Sequence, residues 1–297
     1  MFVCSLACAG LQSLSQVFGD SPLLNPAQRA LDLAAELHRH EPRHVKEVLQ
    51  LALSSPAVKG QGASKHRSWV THVDSEVILM SLIEPKETLV SIVSRPLHAE
   101  FAVALLDGGT FISRAGQGNF EEPILGEASA AANVISTPSN WCHETDNLIV
   151  HLQQTGLGMP LQLRPRSAGG SCCDGLLDVL FGRSDVYLAP PARFTSEVTL
   201  PPAALVAFEL ILREAGGFFS DVYGQPLDVL AEADAPIYSD ASAIPQLGLL
   251  ACADCVGPYF ARATAVAFPP FKSEFQQLTD AMHVRGDYDG PPLRLVD

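Results

Sequence analysis

Apolar runs separated by Gly, Pro and polar clusters divide the chain into helix-like and strand-like segments. Asn25-Pro26 supplies a capping residue followed by Pro at a first helical position, and Leu31, Leu33, Ala34 and Leu37 continue that helix. Pro42 interrupts it, and Val45, Val48, Leu49 and Leu51 indicate a second helix. The polar stretch from Gly60 to Ser68 reads as a loop. Val77 to Ile83 is a short apolar run of the kind that forms a buried strand. Phe101 to Leu106 and Thr110 to Ser113 read as two more strands, joined by the turn Asp107-Gly108-Gly109. Beyond Glu121 the two kinds of segment alternate: a strand at Asn133 to Ser136, a helix at Glu144 to Gln154, a strand at Leu161 to Leu163, a helix at Ser171 to Leu180 and a strand at Val186 to Leu188. Ala203 to Ala215 is a helix stopped by Gly216-Gly217. A strand at Phe218 to Val222 and the turn Tyr223-Gly224-Gln225-Pro226 follow it. The tail from Pro269 is rich in Pro, Asp and Gly and is expected to run over the surface.

This alternation predicts mixed α and β structure, divided into an α+β half over residues 1–132, an α/β half over 133–268 and a tail over 269–297. The apolar content, 47% of 297 residues, is enough for a large core. The net charge of −14 argues against nucleic-acid binding as a main function, because an acidic surface repels phosphate backbones. It also makes any anionic substrate depend on local cations or bound metal. No apolar run reaches the roughly 18 residues that a membrane-spanning helix needs. Met1 to Gly19 carries neither the basic start of a secretory signal nor the Arg of a transit peptide. The expectation is a soluble intracellular protein, in the cytoplasm or an organelle lumen.

The seven cysteines, with Cys172 and Cys173 adjacent in an apolar run, do not form a disulfide pattern for a chain of this size. Cys252-Ala-Asp-Cys255 has CxxC spacing but no second pair, and reads first as buried thiols. His38, His40 and His44 lie among Arg39, Glu41, Pro42 and Arg43, which suits a solvated turn better than a metal site.

Several motifs occur in a telling order. Leu210-Ile-Leu-Arg-Glu-Ala-Gly-Gly-Phe-Phe-Ser-Asp-Val-Tyr-Gly-Gln-Pro-Leu-Asp228 is a helix ending in Glu-Ala-Gly-Gly, then a strand, then an Asp-x-x-Gly-x-Pro-Leu-Asp turn. Arg114-Ala-Gly-Gln-Gly-Asn-Phe120 precedes it, as do Val134-Ile-Ser136 with Leu152-Gln-Gln-Thr-Gly156, and Gly170-Ser171 with Gly182-Arg-Ser-Asp185. In this order, from about Ile83 to Leu250, they resemble the inositol monophosphatase and 3′(2′),5′-bisphosphate nucleotidase superfamily. The resemblance implies a layered αβαβα sandwich, also found in fructose-1,6-bisphosphatases. It further implies removal of phosphate from a small molecule with two or three Mg²⁺ ions held by carboxylates.

The resemblance also implies where the chemistry should lie. The family's Asp-Pro-x-Asp-Gly-Thr, at the end of a buried strand, is matched to Glu84-Pro85-Lys86-Glu87-Thr88-Leu89. Glu84 and Glu87 are then the metal ligands, each one methylene longer than Asp, and Thr88 is a remnant of the catalytic hydroxyl. Val70-Thr71-His72-Val73-Asp74 is similar to the Val-Thr-x-x-Asp loop and lies only ten positions before Glu84, so Asp74 is a second remnant. No Gly-Glu-Glu motif precedes Ile83, and Gly126-Glu127-Ala128 lies on the wrong side of it. The Asp of a Trp-Asp pair, counted back from Glu214, falls on Ala203-Ala204, where Ala204 can bind no metal. Glu197 and Glu209 are the nearby carboxylates that could compensate. Gly170 and Ser171 would contact substrate. The expectation is a pseudo-phosphatase with a structural or binding role, as a homodimer or in a protein complex. The alternative is an active Mg²⁺-dependent phosphomonoesterase for bisphosphate nucleotides or inositol phosphates, with ligands rebuilt from Glu84, Glu87 and Asp74.

Overall fold

The computed structural model describes residues 68–73, 77–84, 86–95, 98, 100–114, 120–125, 133–137, 150, 161–165, 173–191, 200–227, 229 and 248–268. The helices expected between Asn25 and Leu51, the loop before Ser68, all of the Glu144–Gln154 helix except Val150, and the tail lie outside the described residues.

The first sheet is an antiparallel meander of β1 (Ser68–Val73), β2 (Ile78–Glu84), β3 (Glu87–Arg95), β4 (Glu100–Leu105) and β5 (Gly109–Ser113). Two of these strands, β1 and β3, were not expected from the sequence. In β3 the branched residues Thr88, Val90, Ile92 and Val93 suit a pleated surface. Glu84 pairs with Glu87, so the sheet continues directly from β2 into β3. The β2–β3 register shifts between Leu82 and Ile83, where Leu89 is the extra residue. Asp107 turns the next hairpin at φ 58°, a left-handed conformation that Asp tolerates better than most residues.

The register sets two opposite ends. Val73, Ile78, Ser94, Phe101 and Ser113 form one row across the sheet. Ser68, Ile83 and Thr88 lie at the other end, beside the β4–β5 turn. Between them runs a row of mostly small residues, Val70, Ser81, Ser91, Ala104 and Thr110.

The second sheet is mixed, in the order β7-β6-β8-β10-β9. Its strands are β6 (Asn133–Thr137), β7 (Leu161–Pro165), β8 (Val186–Ala189), β9 (Gly217–Ser220) and β10 (Leu249–Ala253). The helices are α1 (Cys173–Leu180), α2 (Pro202–Glu214) and α3 (Gly257–Ala267). Strand β6 runs parallel to β7 and β8, whereas β10 is antiparallel to β8 and β9.

The result is an α/β layered sandwich. Helix α2 packs against all five strands of the first sheet and against β9, and α1 packs against α2, β6, β8 and β10. Alternation sorts the faces of the second sheet: Tyr187, Ala189, Leu249 and Ala251 join the α1–α2 core, while Val186, Leu188, Leu250 and Cys252 meet Phe260 and Phe268 on the α3 side. Helix α2 can approach the first sheet because both surfaces are small there: Ala203, Ala204 and Ala207 are buried on the helix, opposite a sheet face that carries Ser81 and Ser91. The two serines share a hydrogen bond of 3.0 Å, and the Thr110 hydroxyl donates to the Ile211 carbonyl at 2.6 Å.

The two glycines after α2 have different reasons. Gly216 has φ 71°, the left-handed conformation of a C-terminal cap. A Cβ on Gly217 would lie 2.9 Å from both the Leu125 side chain and the Leu212 carbonyl.

Candidate functional site

The sequence nominated residues from several elements, and the fold distributes them widely. Glu84 and Glu87 face each other across the β2–β3 turn, the first half-buried and the second exposed beside exposed Lys86. Thr88 is buried, and its hydroxyl has no hydrogen-bond partner. Asp74, Gly170 and Ser171 lie outside the described residues. Val73, the neighbour of Asp74 in the chain, pairs with Ile78 at the far end of β2 from Glu84. The six residue steps from Ile78 to Glu84 span about 20 Å of extended strand. Glu84 and Glu87 therefore sit at one end of the sheet and Val73 at the other.

Ala204 is fully buried in the apolar core that α2 shares with the first sheet. Glu209 pairs with Arg213 along the same helix, and burial raises its carboxyl above the usual range while Arg213 opposes the shift. Glu197 and Asp228 lie outside the described residues. Asp221 forms the turn expected of it, with Oδ1 accepting from the backbone N–H groups of Tyr223 and Gln225 at 2.8 Å each. In the Gly-Arg-Ser-Asp segment, Asp185 Oδ2 accepts from the Val134 N–H at 2.6 Å and so fastens that turn to β6. Cys252 is buried in β10, where burial pushes its thiol far up, and Cys255 is exposed.

A group that the sequence reading did not single out lies at the Val73 end. Arg95 closes β3 and is buried, with 8% of its side chain exposed. Its Nη1 donates to Glu100 Oε2 at 3.1 Å, and its Nη2 makes an ion pair with Asp174 Oδ1 at 3.0 Å. Glu100 is also bound by both terminal nitrogens of Arg183, whose Nε donates to Asp178 Oδ1 at 2.7 Å. The Arg183 guanidinium lies over the Phe181 ring, 5.3 Å from its centroid. Burial would lower the pKa of Arg183, but Glu100 and Asp178 outweigh it and the net shift is upward. Glu100 thus bridges two guanidinium groups, one from each sheet's half of the chain. The signal available in the sequence was Arg95 at the end of an apolar strand, a costly position for an unpaired charge.

No protein-family model matches the sequence, and no curated protein matches it either. Solved structures do. SaIMPase-II with inositol monophosphate bound is similar over 89% of this chain and 100% of that one, with 14% identity and a TM-score of 0.55. The extragenic suppressor protein SuhB from Bartonella henselae is similar over 82% and 98%, with 14% identity and a TM-score of 0.53. An IMPase from Thermotoga maritima is similar over 76% and 82%, with 15% identity and a TM-score of 0.50.

The chain has the inositol monophosphatase fold. At such identities the likeness concerns the fold and not the chemistry. The Mg²⁺ ions that the fold implies require several oxygen ligands converging on one centre. Among the described residues, no three His, Cys, Asp or Glu side chains are grouped to hold a metal. No helix among the described residues is long and apolar enough to cross a membrane.

Proposed function

We propose that this chain is a pseudo-phosphatase, an inositol monophosphatase-like protein with a structural or binding role, acting as a homodimer or within a protein complex. The observation that carries this reading is the register of the first sheet. It separates the Glu84–Glu87 pair from Val73 by about 20 Å of strand, whereas two ligands of one Mg²⁺ must both lie about 2.1 Å from the ion. A frame that holds Val73 so far from Glu84 and Glu87 speaks against a centre rebuilt around that pair together with residues at the Val73 end. The buried methyl of Ala204 supports the same reading, since a carboxylate on that helix would be needed to orient an attacking water.

The test is phosphate release from inositol 1-phosphate and 3′-phosphoadenosine 5′-phosphate, with and without millimolar Mg²⁺. The expected result is no release above the uncatalysed rate. Mg²⁺-dependent release above the uncatalysed rate would overturn the proposal and restore the phosphomonoesterase reading.

A further inference from the structure

Three features meet at the end of the first sheet away from Glu84. Val73, which precedes Asp74 of the Val-Thr-x-x-Asp resemblance, lies there beside Ile78 and Ser94. The first turn of α1, which follows Gly170-Ser171 in sequence, reaches it through Asp174. Strand β3 ends there at Arg95 and β4 begins at Glu100, and the sequence over these positions reads Arg95-Pro-Leu-His98-Ala-Glu100. This stretch has the spacing of Asp-Pro-x-Asp-Gly-Thr at the end of a buried strand, with Pro in the same place. Arg95 and His98 stand at the two carboxylate positions and Glu100 at the hydroxyl position. The fold thus favours this stretch over Glu84–Leu89 as the counterpart of the metal-binding motif.

The chemistry is inverted relative to a metal site. A metal centre gathers carboxylates around a bound cation. Here one of the gathered side chains is itself the cation. We propose that Arg95 is a built-in cation that stands in for a bound metal, its guanidinium holding Glu100 and Asp174 together where the fold implies divalent ions. Burial makes this arrangement consequential. Glu100 and Asp174 have only 11% and 5% of their side chains exposed, so losing the cation leaves buried charge at a high cost, most of all at Asp174. A guanidinium suits the task because its planar fork presents several donors at fixed angles and stays charged at any physiological pH. The other charged groups facing Glu100 and α1 are Arg183, which pairs with both Glu100 and Asp178, and Asp178; Asp174 has its ion pair with Arg95.

This inference rests on the pseudo-phosphatase reading and explains why divalent ions are dispensable to it. The test is the melting temperature of the full chain in EDTA, and in millimolar Mg²⁺, Mn²⁺ or Ca²⁺, for the natural protein, Arg95→Lys and Arg95→Ser. The natural protein should melt at the same temperature in all four conditions. Arg95→Lys, which keeps a charge, should stay close to it in all four. Arg95→Ser should melt well below both in EDTA and recover by roughly 5 °C or more in at least one divalent ion, as binding to the native state requires. A rise in the natural protein's melting temperature with a divalent ion would overturn the proposal, as would an Arg95→Ser protein that no divalent ion stabilises. Should Arg95→Ser fail to fold in EDTA, failure to recover soluble protein in divalent ions as well counts against the proposal. Phosphate release by the natural protein separates the two ideas. Release would sink the function reading, whereas no release together with no rescue would sink only the role of Arg95.

Discussion

Introducing the missing carboxylate should damage the fold rather than revive an enzyme. Ala204 has none of its surface exposed and lies in the core between α2 and the first sheet. Ala204→Asp adds three heavy atoms where the helix meets the sheet across small side chains, an overpacking cost of about 1–3 kcal/mol. It also buries an acid. An Asp with an ordinary pKa near 3.9 that must stay neutral at pH 7 costs about 4 kcal/mol, roughly three pH units at 1.36 kcal/mol each. The sum, about 5–7 kcal/mol, is comparable to the whole stability of an ordinary domain. The sign of the pH dependence follows from the raised folded-state pKa. The introduced carboxyl is neutral in both states below about pH 4, so the electrostatic part is absent there and grows as pH rises above the unfolded value. Urea unfolding of the natural protein, Ala204→Asp and Ala204→Asn at pH 7 and pH 5, followed by circular dichroism, separates the contributions. Ala204→Asn carries the steric part without the pH-dependent charge. An Ala204→Asp protein within about 1 kcal/mol of the natural one at pH 7 would refute the reasoning. It would mean that water or a cation reaches this position, and the site would then resemble a working one.

Two further outcomes follow from the packing. A Cβ at Gly175 would lie 2.2 Å from two atoms of the buried Tyr187 ring, so Gly175→Ala should destabilise by about 1–3 kcal/mol despite its helical position, measurable by urea unfolding. Among the described cysteines, Cys255 should react with a maleimide in the native state, while Cys252 should react only on unfolding, because burial both hides it and pushes its thiol up. Peptide mapping by mass spectrometry identifies the labelled site, and equal rates at the two would contradict the placement of β10.

The sequence alone determined a good part of the architecture. The helix that ends at Gly216-Gly217 was legible because a glycine pair is a local stop signal, Gly216 supplying the left-handed cap. The turn at Asp221 was legible because a short acidic side chain binds its own backbone. Strands β2, β4, β6 and β8 announced themselves as apolar runs. Strand β10 and helix α3 went unread, although Pro258 near the start of α3 was an available signal. Strand β3 was hidden differently. Its first residues, Glu87 and Thr88, also fit the end of the Asp-Pro-x-Asp-Gly-Thr resemblance, which obscures the branched strand pattern that follows them.

Asp74 and Glu84 are ten positions apart and look like neighbours on paper. Because β2 is extended, each residue from Ile78 to Glu84 adds about 3.3 Å, and Val73, paired with Ile78, lies at the opposite end of the sheet from Glu84. Arg95 is twenty-one positions from Asp74, yet Ser94 beside it and Val73 beside Asp74 share a row, because two hairpins fold the chain back. Local signals fix where elements begin and end. Which residues converge depends on the strand register and on the docking of α1 against it. Only the tertiary structure decided these, since they arise from contacts between segments that no local pattern encodes.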